Sequence, residues 1–189
     1  SGQIKGHRGN GDLIHFDTEQ GNWHASKVFK RPLDMDSSIK EDKYHTFALR
    51  TVGFKERLEF IEYYLKEKIK EPSLVIIDGV ADLCGDVNNI EQSNNLVSAL
   101  MRISTQCNVH IICVIHQNYG SQKLGTGHLG SALEKKAETV ISLEANTVNK
   151  DWITVKCGRS RGYSFETFSF EVNKKGLPTI VGDLYDPLK

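Results

Sequence analysis

Residues 74–83 read LVIIDGVADL, an apolar run that stops at the acidic residue Asp78. A run of this kind is typical of a strand that is buried on both faces of a parallel sheet. Ligands of open α/β sheets bind in the crevice at the carboxyl ends of the strands. Asp78 is therefore a candidate site residue, and the neighbouring segments test that interpretation.

Apolar runs alternate with helix-period segments along most of the chain. Helices are predicted at 23–31, where Pro32 would end the helix, at 54–70 and at 90–107. Strands are predicted at 12–17, 44–49, 73–78, 109–115, 139–145, 151–157 and 167–172. The strands at 73–78 and 109–115 are expected in the centre of the sheet, and the last two alternate in polarity as antiparallel strands do. The predicted fold class is α/β, a mostly parallel sheet flanked by helices with a C-terminal antiparallel hairpin.

The composition favours one domain that spans residues 1–189. Lys plus Arg and Asp plus Glu number 24 each, so nucleic acid could be met only by a local patch. The four cysteines show no CxxC spacing and the seven histidines no HxxxH spacing, which argues against a structural zinc and favours a reducing cytoplasm. No stretch is long and apolar enough to cross a bilayer, so no membrane partner is expected.

Polar residues follow three of the predicted strands. Glu19 comes just after the first strand, Asp78 ends the third, and His116 and Gln117 follow the fourth. Because parallel strands present their carboxyl ends at one edge of the sheet, we expect these side chains to converge. The convergence, rather than any single residue, points to a site.

The segments FDTEQ, LVIIDGV, CVIHQN, a Gly-rich stretch and VKCGRSRG follow one another in this order. This order resembles the ATPase core of the RecA-like group, which includes recombinases, DnaB-type hexameric helicases and RepA-like replication helicases of mobile elements. The resemblance implies ATP and Mg²⁺ as cofactors. It matches Glu19 to the glutamate that polarises the attacking water, Asp78 to the Walker B aspartate that holds magnesium through water, and Gln117 to the glutamine that senses the γ-phosphate.

The same resemblance implies two kinds of partner. Arg159 and Arg161 look like the basic pair that some hexameric members insert into a neighbour's nucleotide site, which implies a ring or filament of identical chains. The Gly-rich segment 120–131 stands where the family places its DNA-contacting loop, and it is expected to be mobile by itself. Its phosphate-contacting candidates for single-stranded DNA are Lys123, Gly125, Gly127 and His128.

Simpler interpretations stay open for each residue. Asp78 before Gly79 also suits a turn after a strand, and Asp17 is expected to be structural. Gln117 could satisfy loop backbone, and a histidine such as His116 is more often hydrogen-bonded than a ligand. Arg159 and Arg161 could be surface charges of a hairpin, and the Gly-rich segment could be a surface loop.

A phosphate loop with the pattern GxxxxGK[ST] is absent from the sequence. In the resembled family this loop, its strand and its helix come before the DTEQ segment. We favour a piece of a longer protein from which these elements are missing, and the other interpretation is a chain that has lost nucleotide binding. In the resembled fold the missing strand lies between the strands at 109–115 and 139–143, so both should carry an unpaired edge.

Three functions follow from these patterns. The leading one is the ATPase core of a DNA-acting helicase or recombinase-like protein from a replication or mobilisation system, which is inactive in this chain without the phosphate loop. The second is a RecA-like module that binds DNA or assembles without hydrolysis. The third is a metal-dependent phosphatase or nuclease built on Asp17, Glu19 and Asp78.

Overall fold

A computed structural model describes residues 9–117 and 125–181. The described helices are α1 (Asn22–Met35), α2 (Phe54–Tyr63), α3 (Ile90–Gln106) and α4 (Gly127–Lys136). The described strands are β1 (Asp12–Asp17), β2 (Tyr44–Ala48), β3 (Pro72–Asp78), β4 (His110–Val114), β5 (Thr139–Ala145), β6 (Trp152–Ser160), β7 (Phe168–Val172) and β8 (Pro178–Val181). None of these helices combines the length and the apolarity needed to span a bilayer.

The chain divides into two compact units that separate between Lys136 and Ala137. The first holds a parallel sheet of four strands in the order β2-β1-β3-β4, with all four helices. The second holds an antiparallel sheet of four strands in the order β5-β6-β7-β8. The predicted fold class is thereby confirmed, although the antiparallel part is a whole sheet rather than a hairpin.

The core of the first unit lies on one face of its sheet. Alternate residues of β1 and β3 point there and are fully buried, namely Ile14, Phe16, Val75 and Ile77. They belong to one apolar cluster with the buried sides of α2 and α3. The ring of Phe16 stacks on Phe47 of β2 with centroids 5.3 Å apart. This cluster fixes the register of the sheet, because a slip by one residue would turn every apolar side chain outward.

The opposite face of this sheet is only partly covered. On β1, His15 meets Phe29 of α1 edge to face, with ring centroids 4.9 Å apart. Ile112 and Val114 of β4 point to the same face as His15 and Asp17, and they are 41% and 44% exposed. We call Ile76, Ile112 and Val114 the open strand face.

The prediction that the strand at 109–115 is central was wrong. β4 pairs with β3 alone among the described strands, so it forms the end of its sheet. β5 likewise pairs only with β6 among them, and its Ile141 and Leu143 are exposed. Apolar residues on both faces of a strand predict burial, but the described chain supplies a neighbour on one side of β4 only.

Two helix predictions need correction. Pro32 does not end α1 but lies within it, since the helix continues to Met35 and Asp36 N–H still donates to the Pro32 carbonyl at 3.0 Å. A proline lacks its own N–H and therefore removes one helical bond, which is tolerated in this final stretch. The helix predicted at 54–70 is α2 extended by a π-helical turn, Tyr64–Lys68.

Arg57 of α2 ties the loops that end two of the parallel strands. Its Nε donates to the Leu49 carbonyl at 3.1 Å and its Nη2 to the Arg50 carbonyl at 2.8 Å, just after β2. Its Nη1 donates to the Asp82 carbonyl at 2.9 Å, after β3. One guanidinium thus serves three carbonyl groups near the carboxyl edge of the sheet, which suits its planar fork of donors.

We expect Arg57→Ala to lower the free energy of unfolding by about 2–4 kcal/mol, because it leaves three carbonyl groups without a charged donor. Arg57→Lys should recover at most about half of that loss, since an ammonium group cannot reach all three. Urea unfolding followed by circular dichroism measures both. The exposed Lys55→Ala on the same helix is the control and should stay within about 0.5 kcal/mol of the parent chain. A similar small change for Arg57→Ala would contradict the assignment.

Candidate functional site

Hydrogen bonds from Thr18 join the carboxyl ends of β1 and β3. Its N–H donates to the Asp78 carbonyl at 3.0 Å, and its Oγ1 donates to the Asp78 and Gly79 carbonyls at 3.0 and 2.8 Å. Thr18 is buried, so these bonds are shielded from water. They fix Glu19, the next residue, beside the end of β3.

Gly79 occupies the tight turn after β3. Its backbone is left-handed, with φ of 91°. A Cβ at this position would collide with Thr18 Oγ1 and Glu19 Cγ. A side chain is therefore excluded twice, by the backbone conformation and by the contact with the β1 end.

Asp17 shapes the turn that carries Glu19. Its Oδ1 accepts hydrogen bonds from the backbone N–H groups of Glu19 and Gln20, at 3.0 and 2.8 Å. The residue is fully buried, and its Oδ2 has no partner in the part of the chain that the structure describes. Half of this carboxylate is thus structural, as the sequence suggested, and half is an unpaired buried acceptor.

The end of β4 reaches the same place through a side chain. His116 Nε2 lies 3.2 Å from Glu19 Oε2. Since β1, β3 and β4 are parallel, with β3 between the other two, Glu19, Asp78 and His116 stand at one edge of one sheet. Gln117 follows His116 directly and forms an isolated antiparallel bridge with Gly125.

This bridge closes the base of the Gly-rich segment. Thr126 donates from its N–H and its Oγ1 to the His116 carbonyl, at 3.0 and 2.8 Å. Gly125 N–H donates to Glu134 Oε1 at 2.9 Å, and a Cβ on Gly130 would collide with the Gly125 backbone. Both ends of the segment are therefore held against the end of β4 and against α4.

The expectation of a mobile segment over 120–131 was wrong for its last part. Residues from Gly127 onward form α4, in which Leu129 and Gly130 are buried. Gly127 has a left-handed backbone, and His128 lies in the first turn of the helix. The four glycines of the segment suggest a loop, but burial of Leu129 favours the helix. Lys123 lies outside the described residues.

Arg159 and Arg161 belong to the second unit. Arg159 is in β6 opposite Val140, and Arg161 follows that strand. The N–H of Arg161 donates to the Glu138 carbonyl at 2.9 Å, and its Nε donates to the Ala137 carbonyl at 3.3 Å. Both side chains are exposed. Their role in a neighbour's site stays a prediction.

Negative charge is crowded at the ends of β1 and β3. Burial raises the pKa of Asp78, and the charges of Asp17 and Glu19 raise it further, while His116 lowers it. Asp17 and Asp78 are direct partners in the parallel register and point to the same face. The folded chain therefore holds a carboxylate whose ionised form is disfavoured by its surroundings.

A divalent cation fits this arrangement. The unpaired Asp17 Oδ2 and the crowded Asp78 carboxylate are hard oxygen ligands of the type that Mg²⁺ prefers. Within the described ranges, however, no group of three or more His, Cys, Asp or Glu side chains could hold a metal by itself. This favours an ion bound through water and shared with a phosphate ligand over a metal cage of the phosphatase or nuclease type.

Sequence reasoning missed the contributions of Thr18 and His116. A hydroxyl directly after a buried strand, as at Thr18, is a candidate for bonding the neighbouring strand end, and this signal could have identified it. His116 was expected only to be packed or hydrogen-bonded. Its actual partner, Glu19, lies 97 positions away in the sequence and no spacing rule connects them.

Two solved structures are similar to this chain. The ATPase domain of a DnaB-type helicase aligns with a TM-score of 0.63 and 13% sequence identity, over 92% of this chain and 75% of that one. The RadB recombinase aligns with a TM-score of 0.59 and 14% identity, over 88% and 77%. No protein-family model and no curated protein matches the sequence. Likeness at this identity establishes architecture, and the chain has the α/β fold of RecA-like proteins.

Proposed function

We propose that this chain supplies the catalytic edge of an ATP-hydrolysing protein that acts on single-stranded DNA. The reaction is hydrolysis of ATP to ADP and phosphate with Mg²⁺. The observation that carries the proposal is the meeting of Glu19, Asp78 and His116 at one sheet edge, with Gln117 directly beyond. The likeness to a helicase ATPase domain and to a recombinase supports the choice of reaction.

Each residue has a role that its position allows. Glu19 accepts a proton from the attacking water and orients it, since its carboxylate projects beyond the end of β1. Asp78 holds water molecules of the Mg²⁺ shell, and the ion neutralises charge on the β and γ phosphates. Gln117 offers an amide to the γ-phosphate. His116 keeps the Glu19 carboxylate in place until substrate binds.

The phosphates need a cradle that these residues do not form. We propose that a strand, a phosphate loop and a helix from outside this sequence pair with β4 and cover the open strand face. Three observations support it: β4 has no second partner among the described strands, Ile112 and Val114 are exposed, and Asp78 lies on that same face. An apolar strand face left in water is unfavourable by about 25 cal/mol per Å².

DNA and neighbouring subunits belong to the proposal as well. The bridge between Gln117 and Gly125 gives the Gly-rich segment a fixed base, so phosphates bound by Lys123, Gly127 or His128 would act directly on Gln117. Arg159 and Arg161 are proposed to enter the nucleotide site of an adjacent copy in a ring or filament. A replication or mobilisation system is the proposed setting.

A non-hydrolytic DNA-binding or assembly module is the second candidate. It is favoured by the absence of a GxxxxGK[ST] pattern from the sequence. The reading frame upstream of this chain distinguishes the two candidates. An in-frame GK[ST] pattern supports the ATPase, and a start codon at the beginning of this chain supports the module.

The role of Glu19 gives a kinetic prediction. In a protein extended by the upstream residues, Glu19→Gln should lower kcat for ATP by about 10²–10⁴-fold, because it removes the base that orients water. The KM for ATP should change little, since Glu19 does not hold the phosphates. The exposed Glu59→Gln on α2 is the matched control and should keep the parent rate. Steady-state phosphate release with and without single-stranded DNA measures both constants.

Two results would count against this assignment. Turnover by Glu19→Gln within about threefold of the parent would remove Glu19 from the chemistry, since a general base is worth about 10²-fold or more. Absence of turnover by the extended parent protein, with and without DNA, would leave the non-hydrolytic module.

The crowding around Asp78 gives a prediction on stability. Its raised pKa means that, as pH rises from the ordinary aspartate value of 3.8 through the raised value, the folded chain binds more protons than the unfolded chain and loses stability. We expect Asp78→Asn, without Mg²⁺, to be more stable than the parent at pH 7, with the difference shrinking as the pH approaches 3.8. The same substitution should abolish Mg²⁺-dependent turnover in the extended protein.

Urea unfolding of the two chains between pH 3 and pH 8 measures this difference. Asp151→Asn, in an exposed turn, is the charge-matched control and should show no such gain. A loss of stability in Asp78→Asn at pH 7 would mean that the carboxylate forms favourable bonds in the folded chain, contrary to the proposed metal role.

A further inference from the structure

The outer face of α1 carries an exposed indole next to a row of cations. Trp23 is 63% exposed, although its helix packs on the sheet through Ala25 and Phe29. The ammonium group of Lys27 lies 3.4 Å from the centroid of the Trp23 ring. A large exposed aromatic side chain on a short helix has no role in the core of this unit and marks a contact surface.

Lys30 and Arg31 continue this row along the helix. Positions 23, 27, 30 and 31 are spaced so that their side chains share the solvent side of α1, opposite Ala25. Lys27, Lys30 and Arg31 are exposed, and none of them forms an ion pair with a described residue. We call Trp23, Lys27, Lys30 and Arg31 the α1 outer face.

The charge of this face is one-sided. The stretch Asn22–Arg31 contains two lysines, one arginine and one histidine and no acidic residue, whereas the whole chain is balanced. The first acid, Asp34, comes in the last turn of α1. The guanidinium of Arg50 also stands near the start of the helix, 3.6 Å from the place of a Cβ on Gly21. The partner of this face is therefore anionic.

We infer that the α1 outer face binds single-stranded nucleic acid, with a base stacked on Trp23 and phosphates held by Lys27, Lys30 and Arg31. An exposed aromatic ring beside cations is the combination that single strands use, because stacking needs an unpaired base and the backbone needs positive charge. Lys27 occupies one side of the indole, and the exposed remainder is available to a base. A duplex offers no free base face, and an acidic protein offers no base at all.

This contact is separate from the Gly-rich segment at the end of β4, since α1 begins after the end of β1 and runs along the sheet face that holds His15. The inference takes from the proposed function only the class of partner. A single strand could be engaged here whether or not ATP is hydrolysed.

The test uses the fluorescence of Trp23 in the 189-residue chain. The sequence has two tryptophans, so Trp152→Phe leaves Trp23 as the only indole reporter. Titration with an oligothymidylate of about 20 nucleotides, longer than the ~4–16 that one site occupies, should quench the emission with saturation at low salt without ATP. A duplex of equal length and polyphosphate, which has no bases, should quench it much less. Quenching by polyphosphate as strong as by the oligonucleotide would overturn the stacking role.

Charge variants in this background identify the surface. Lys27→Gln, Lys30→Gln and Arg31→Gln combined should weaken binding at least about tenfold and reduce the slope of log affinity against log salt by about 2. The matched control combines Lys55→Gln, Lys70→Gln and Lys174→Gln, exposed lysines placed elsewhere, and should bind like the parent. Equal weakening by both sets would overturn the inference in favour of general charge attraction.

The aromatic contribution is read with a labelled oligonucleotide. Trp23→Leu should weaken binding in fluorescence anisotropy about fivefold or more, as loss of one stacking contact predicts. Trp23 and the cations are exposed, so circular dichroism should show an unchanged fold for each variant. Unchanged affinity of Trp23→Leu would overturn the inference. So would self-association without DNA that is lost in the charge variant, which would assign the face to a second copy of the chain.

The outcome is independent of the catalytic proposal. Quenching without ATP turnover in the extended protein would refute the ATPase and keep the α1 contact. Turnover that depends on Glu19, together with no quenching of Trp23, would do the reverse.

Discussion

The bonds from Thr18 to the carbonyl groups of Asp78 and Gly79 are the constraint on which the site depends. They hold the ends of β1 and β3 together, and Gly79 must be a glycine because Thr18 and Glu19 fill the space of a side chain. Glu19 leaves this junction beside Asp78 and meets His116 from the end of β4. A general property of parallel sheets, the shared edge of strand ends, thus becomes a specific group of carboxylates.

The same junction concentrates negative charge that the described chain does not neutralise. Asp17 has a buried oxygen without a described partner, and the pKa of Asp78 is raised by burial and by its acidic neighbours. A structure selected for stability alone would pair or remove these groups, whereas a site for Mg²⁺ and phosphates requires them. The open strand face lies next to the same carboxylates, so uncovered apolar surface and uncompensated charge point to the same missing contacts.

Most of the fold could be predicted from the sequence, because periodicity and strand ends are local signals. The segments around β1, β3 and α3 were placed nearly as observed, and the strand ends indicated Glu19 and Asp78. The edge position of β4 could not be predicted, since apolarity reports burial preference and not which neighbour is present. The helical start at Gly127 was hidden by its glycines. The contact of His116 with Glu19 depends on tertiary geometry that no spacing in the sequence encodes.

The most direct test of the central claim is a crystal structure of the protein, extended by its upstream residues, with Mg²⁺ and a non-hydrolysable ATP analogue. The account predicts that Glu19 contacts a water in line with the γ-phosphate and that Asp78 contacts a water bound to Mg²⁺, with an added strand beside β4. A nucleotide bound elsewhere, or phosphates out of reach of both carboxylates, would contradict it.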